Sequence, residues 1–333
     1  MRIVAFEVEE RERGGFAALA DGNELEFVEA PLTAGNAARF ADAEIVSTFI
    51  YSRLDRAALE QLPKLRLIAT RSTGYDHVDR AWCAERDVAL SNVPSYGENT
   101  VAEHVFALLL ALSHRLPESL ERARSGRFSP EGLQGFDLAG RTLGVVGTGS
   151  IGRHVVRIAR GFEMRVLAHD PAADPTLAER LGFRYVDFET LLAESDVISL
   201  HAPATPETKH LLDAVAFRRM KDGAVVINTA RGSLIDSRAL ILALRSGKLA
   251  GAGLDVLPEE PLIREEVELI CSIFCDRHDL REVVADHVLL RLPNVVVTPH
   301  SAFNTREAVG RIVETTVANI RGFLAGQPQN LVA

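Results

Sequence analysis

A pair of α/β domains, each built on a doubly wound parallel sheet, is what this sequence predicts, and three observations carry the reading. Short runs rich in Ile, Val and Leu alternate with segments of helical period along most of the chain. Such alternation gives parallel strands joined by covering helices. The length of 333 residues suits two domains, each large enough for its own core. A glycine-rich turn, Gly147-Thr-Gly149-Ser-Ile-Gly152, occurs in the second half and has no counterpart in residues 1–100, so the two halves have different tasks.

In the first half the strand candidates are Arg2 to Glu7, Ile45 to Tyr51, Leu65 to Thr70 and Val88 to Asn92, with helical patterns at Asp55 to Gln61 and His77 to Arg86. Glu98 to Arg115 is the longest helical pattern and is apolar nearly all round, which predicts burial on most sides. Pro117 and then Ser125-Gly126 mark its end and a surface loop. Strands resume at Leu143 to Val146, Met164 to Ala168, Arg184 to Val186, Val197 to Leu200, Ala224 to Ile227, Gly251 to Asp255 and Val295 to Thr298. Helices fit Phe188 to Ala193, Leu211 to Met220 and Ser237 to Ser246, and an amphipathic helix, Thr305 to Ala325, is long enough to return to the first domain. The expected division is 1–102 with 302–333 as one domain and 103–301 as the other.

Bulk properties narrow the class. A net charge of −9 without a basic stripe argues against a nucleic-acid partner. The opening MRIVAFEVEE reads directly as a strand, with no secretory pattern, and the longest apolar run, Val105 to Leu112, is too short to span a bilayer. Three cysteines, Cys83, Cys271 and Cys275, make no disulfide framework and suit a reducing compartment. The expectation is a cytoplasmic protein without a membrane partner.

The stretch from Arg141 to Asp170 runs strand, glycine turn, helix, strand, carboxylate. Gly147 permits the tight turn, Gly149 lets a pyrophosphate approach bare backbone, and Gly152 lets the helix pack against the strand. The helix N-terminus then faces the phosphates. Asp170 falls where a carboxylate accepts the ribose hydroxyls, and no Arg follows it to greet a 2′-phosphate, so the expected cofactor is NAD.

Three polar segments lie just past predicted strands: Asn228-Thr-Ala-Arg231-Gly232, Asp255-Val-Leu-Pro-Glu-Glu260-Pro261 and Thr298-Pro299-His300. An Arg, a carboxylate and a His are the set needed to reduce a 2-keto acid. The guanidinium binds the substrate's carboxylate or carbonyl oxygen, the imidazolium delivers a proton, and the carboxylate holds it charged. Cys271, Cys275 and His278 could be read as a metal cluster. Their helical spacing among apolar neighbours instead indicates buried-face cysteines, and no metal is expected.

These segments, with His201-Ala-Pro-Ala-Thr-Pro-Glu-Thr208, resemble the D-isomer-specific 2-hydroxyacid dehydrogenases from about Leu65 onward. Asn92-Val-Pro-Ser-Tyr96, Val101-Ala-Glu-His104 and His300-Ser-Ala-Phe303 are similar to the D-lactate dehydrogenase branch. The resemblance implies a Rossmann NAD-binding domain and a flavodoxin-like substrate domain. It makes Arg231 the substrate-binding cation, His300 the acid/base and Glu260 the partner of His300. It implies that backbone amides at Thr73 and Gly74 take the substrate carboxylate and that Tyr96 and Phe303 line the pocket. Ser150, Ile151, Asp170, Ala202, Pro203, Thr208, Thr229, Ala230 and Asp255 fall where members contact NAD. Members close two domains over a small-molecule substrate, usually as homodimers, with Glu98 to Arg115 as hinge and interface. Two departures stand out: Leu262 to Leu292 is longer than the usual segment, and position 304 is Asn where an aromatic is common. Pyruvate is the favoured substrate. Hydroxypyruvate or glyoxylate reduction is the alternative, and an NAD-sensing co-repressor-like binding protein is the alternative of another class.

Overall fold

The structure is a computed structural model and describes residues 1–258 and 280–332. The chain divides into two compact units, Met1–Tyr96 with Asn304–Ala333, and Gly97–Phe303.

The first unit holds β1 (Arg2–Phe6), β2 (Glu24–Val28), β3 (Ile45–Thr48), β4 (Leu67–Thr70) and β5 (Ala89–Ser91). They pair in parallel in the order β2-β1-β3-β4-β5, the flavodoxin-like order. Alternate residues sort to two cores. Ile3, Ala5, Ile45, Leu67 and Ala69 meet Phe16, Val313, Val317 and Ile320, while Val4, Phe6, Val46, Ile68 and Leu90 meet Leu59 and Trp82. The helix Arg306–Leu324 covers the first of these faces. It starts where Thr305 Oγ1 accepts the Ala308 N–H at 3.2 Å. β2 was absent from the sequence reading. Its sequence ELEFV places two glutamates on an edge strand, where only one side is paired and partial exposure is allowed.

The second unit carries β6 (Thr142–Val146), β7 (Arg165–His169), β8 (Arg184–Tyr185), β9 (Val197–Leu200), β10 (Ala224–Asn228), β11 (Leu249–Leu254) and β12 (Val295–Val297). All pair in parallel in the order β12-β11-β10-β9-β6-β7-β8. Strand order reverses between β6 and β9, and ligands of open α/β sheets bind outside the carboxyl ends at such a point.

The helix Glu98–Ser113 packs on this sheet through Ala102, Val105, Phe106, Leu108 and Leu109. Gly253 of β11 makes the approach possible, since a Cβ there would lie 2.9 Å from Leu108 Cβ. After it the expected surface loop is instead a second helix, Leu116–Arg124. The chain breaks at Arg115, with φ +49°, and Pro117 then sits in the first turn of the new helix. A missing N–H costs nothing there, so the proline starts a helix as well as following one. Pro175–Leu181 is likewise helical, with Asp174 capping it, and was not anticipated. No helix among the described residues is long and apolar enough to cross a membrane.

Candidate active site

One row of residues organises the carboxyl edge of the second sheet. Register pairs His169 with Val146, Val146 with Leu200, Leu200 with Asn228, Asn228 with Leu254, and Leu254 with Val297. The next residue on each strand is therefore Asp170, Gly147, His201, Thr229, Asp255 or Thr298. Ala202, Pro203, Ala230, Arg231 and His300 follow within three residues. Segments separated by up to 150 residues are thus brought to one edge by strand pairing alone.

The glycine turn has the geometry its spacing implies. Gly147 lies at φ +95°, and a Cβ there would meet His201 O at 2.7 Å. A Cβ on Gly152 would stand 2.1 Å from Gly147 O. Around Gly149 an added Cβ would meet nothing within 4 Å. Gly149 is also the N-cap of the helix Ser150–Gly161, with Ile151 in its first turn. Bare backbone and helix N–H groups together suit a phosphate.

Asp170 Oδ2 accepts the Thr148 N–H at 2.7 Å and the Thr148 hydroxyl at 2.8 Å, and Oδ1 accepts the Ala172 N–H at 2.8 Å. The single proton of Thr148 being so used, the Tyr185 hydroxyl 2.8 Å away donates to Thr148 Oγ1. Burial works to raise the Asp170 carboxyl, but the bonds from Thr148 and Ala172 outweigh it and hold it below the ordinary value. A carboxylate offers about four acceptor sites, so one remains, on Oδ1.

Beside the turn, Thr208 Oγ1 donates to Pro203 O at 2.7 Å, closing the Ala202–Thr208 loop. His201 Nε2 lies 2.8 Å from Ser199 Oγ, and burial lowers its pKa to about 4. Asn228 is buried and clasps the segment after β10: its Nδ2 donates to Arg231 O at 2.8 Å, and its Oδ1 accepts the Ala230 N–H at 3.0 Å. The Arg231 guanidinium donates to Ala230 O at 2.8 Å. Thr229 Oγ1 is buried without a partner among the described residues.

His300 sits at φ +50°. Its N–H is 2.9 Å from both Asp255 O and Thr298 O. The Asp255 side chain, 1% exposed, accepts the Ser301 and Ala302 N–H groups at 2.9 Å each and the Thr298 hydroxyl. Burial would raise its carboxyl, but bonds from His104, Thr298, Ala302 and Ser301 hold it low. Phe303 is half-buried in the same unit.

Thr73 and Gly74 follow β4 of the first unit. Thr73 Oγ1 donates to Val93 O at 2.8 Å, and Ser72 Oγ donates to Gly74 O at 2.6 Å. Tyr96, also in that unit, accepts from Arg311 Nε through its carbonyl. Glu260, Cys271, Cys275 and His278 lie outside the described residues, and no set of His, Cys, Asp or Glu among the described residues could hold a metal. Sequence reading passed over Thr148, Tyr185 and His104. The signal for His104 was available: it closes the Val101-Ala-Glu-His104 segment that resembles the D-lactate dehydrogenase branch.

These residues fit NAD: an open glycine at a helix N-terminus, a fixed carboxylate after β7, and an orphaned hydroxyl at Thr229. The fold and this edge define a dinucleotide-binding protein. Residues 106–302 match the family model described as D-isomer specific 2-hydroxyacid dehydrogenase, NAD binding domain. The chain is 41% identical over 318 residues to a D-lactate dehydrogenase of Escherichia coli K12, covering 93% of each. It is 38% identical to a glyoxylate reductase of Thermococcus litoralis, over 87% of this chain and 84% of that protein. It superposes with TM-score 0.86 and 33% identity on D-lactate dehydrogenase from Aquifex aeolicus complexed with NAD and lactic acid, over 98% and 96% of the chains. The protein belongs to the D-isomer-specific 2-hydroxyacid dehydrogenase family. It is an NAD-dependent enzyme of the D-lactate-dehydrogenase-like type.

Proposed function

We propose that the enzyme interconverts pyruvate and D-lactate, with Arg231, His300 and Glu260 as its catalytic residues. The observation that carries the reading is the strand-end row, which starts the Arg231 and His300 segments from β10 and β12 with the Asp255 segment between them. Bound NADH supplies the hydride that reaches C2 of the keto acid. Arg231 binds the substrate's carboxylate or carbonyl oxygen and polarises the carbonyl. His300 gives its proton to the alkoxide oxygen as it forms, acid catalysis worth about 10²–10⁴-fold. Glu260 pairs with the imidazolium. In the reverse direction His300 takes that proton back from the hydroxyl, and bound NAD would supply the hydride acceptor.

The backbone amides of Thr73 and Gly74 are assigned to the substrate carboxylate, and Tyr96 and Phe303 to its side chain. The cofactor contacts are assigned to Gly147, Gly149, Ser150, Ile151, Gly152, Asp170, Ala202, Pro203, Thr208, Thr229, Ala230 and Asp255. A homodimer built on the second unit is supported by exposed apolar side chains there, Leu116, Leu120 and Phe128. A cytoplasmic setting is supported by Cys83, which forms no disulfide among the described residues.

The test is a steady-state panel of pyruvate, phenylpyruvate, hydroxypyruvate and glyoxylate with NADH and with NADPH. Pyruvate with NADH should give the highest kcat/KM. A clear preference for glyoxylate or hydroxypyruvate would replace the pyruvate assignment by the second reading, which the likeness to a glyoxylate reductase supports.

A further inference from the structure

We propose that His104 is a positioning residue for the acid/base turn, acting through Thr298 and Asp255 on the backbone that carries His300. The inference rests on the assignment of His300 above. It adds a residue from a helix that begins more than 150 positions before the β11 and β12 segments.

His104 stands on the helix Glu98–Ser113, whose buried residues are mostly apolar, with Thr100 and Ser113 the polar ones. Its Nε2 is 2.9 Å from Thr298 Oγ1 and 3.4 Å from Asp255 Oδ1. Counting protons fixes the direction of the chain. An ionised Asp255 accepts only, so Thr298 directs its one hydroxyl proton to Asp255 Oδ1. The Thr298 oxygen can then meet His104 only as an acceptor, which requires a proton on Nε2. The sequence of bonds is His104 N–H to Thr298 O–H to Asp255.

Asp255 in turn receives three consecutive backbone N–H groups. His300 donates to its carbonyl, Ser301 to Oδ1 and Ala302 to Oδ2, each at 2.9 Å. These bonds hold His300 in the left-handed region at φ +50°, which a non-glycine residue adopts only where the surroundings over-determine it. His104 is the donor that ties this assembly to a helix packed on the sheet. Without its N–H, the Thr298 hydroxyl is released to turn away from Asp255, and the imidazole of His300 loses its fixed line to the substrate oxygen. A displacement of about 1 Å at a reacting group can lower a rate about 100-fold.

The experiment compares His104→Leu, His104→Gln and Thr298→Val with the unaltered enzyme, measuring kcat for keto-acid reduction, NADH affinity by fluorescence and Tm. Leu removes the donor, Gln retains an N–H of similar reach, and Val removes the hydroxyl at nearly constant volume. His104→Leu and Thr298→Val should each lower kcat by about 10- to 100-fold with NADH affinity close to the unaltered enzyme, Thr298→Val also lowering Tm because the buried Asp255 loses a donor, and His104→Gln should restore most of the loss. Unchanged kcat in His104→Leu overturns the proposal. So does a loss that Gln does not restore, or one matched by an equal loss of NADH affinity. Should His104→Leu fail to fold, Thr298→Val decides by the same criteria. His300→Gln separates this inference from the reading it rests on: normal turnover there removes the acid/base assignment itself, whereas a dead His300→Gln beside a fully active His104→Leu removes only the role of His104.

Discussion

Replacing Gly149 by Ala should leave the free enzyme about as stable while weakening its hold on NADH, and the two effects have separate physical origins. Gly149 lies at φ −63° and ψ −168°, a conformation open to any residue. An added Cβ would meet nothing within 4 Å. The unfolded chain loses freedom on this change, a gain of about 0.4–1 kcal/mol. Gly149 is also the N-cap of its helix, where Ala is the poorer residue by a similar amount, so Tm should stay within about 2 °C. In the complex the pyrophosphate is to lie against this bare backbone, and a methyl group would push it away. Losing one hydrogen bond to a charged group costs about 1.5–3 kcal/mol, or about 10- to 150-fold in NADH affinity.

Gly152→Ala provides the opposite pattern. Its Cβ would stand 2.1 Å from Gly147 O and 3.1 Å from Gly147 C. Neither atom is the end of a flexible side chain, so the helix must retreat by about 1 Å, and such overpacking costs about 1–3 kcal/mol. The free enzyme should therefore lose Tm. Calorimetry on the free proteins and fluorescence titration with NADH read both quantities. If Gly149→Ala binds NADH as tightly as the unaltered enzyme, the pyrophosphate does not lie there and the reading of the turn is wrong.

Three other outcomes follow from the same edge. Asp170→Ala combined with Pro171→Arg should raise the KM for NADH by roughly tenfold and admit NADPH, because a carboxylate that repels a 2′-phosphate gives way to a cation. Unaltered NADH kinetics would remove the ribose assignment. His201, lowered from 6.5 to about 4 by burial, stays neutral in the folded chain while the unfolded chain takes up a proton between those values. Its contribution to stability is complete above pH 6.5 and is lost as pH falls toward about 4. His201→Gln should flatten that decline in urea midpoints, and an identical pH slope would rule it out as a source. Arg231→Lys should lower kcat/KM by at least about tenfold, since a point charge cannot replace a planar two-pronged donor; intact turnover with pyruvate would show that Arg231 is misassigned.

Much of this architecture was legible because parallel strands buried on both faces read as short apolar runs. Val197–Leu200 and Ala224–Asn228 are such runs, fully buried along their length. β2 escaped because an edge strand needs less apolar content, and Arg2 offsets both of its acids in ion pairs with Glu24 and Glu26. The helix Leu116–Arg124 escaped because proline was read only as a terminator. Among the candidate site residues, Gly147, Asp170 and Arg231 could be nominated because each belongs to a local spacing. His104 and Thr298, 194 residues apart, share no local pattern, and neither do Thr148 and Tyr185. Only the register of the sheet and the packing of a helix on it bring these pairs into contact.

Asp255 shows why spacing finds such residues without revealing what they do. Its position after β11 marks it for the cofactor, yet Thr298, Ser301 and Ala302 already occupy three of its roughly four acceptor sites. Asp170 is in the same condition, with three donors from its own neighbourhood. Each acid is therefore oriented before any ligand arrives. The last site of the buried Asp255 meets His104, whereas Asp170 retains about one site. A carboxylate fixed in this way loses little freedom when a ligand bonds to that last site, so more of the contact is left as affinity. The same bonds favour ionisation of both groups despite partial or full burial, and so favour their acceptor form. The donors are mostly backbone N–H groups of turns that follow the strands, so the sheet that gathers the segments also sets their charge.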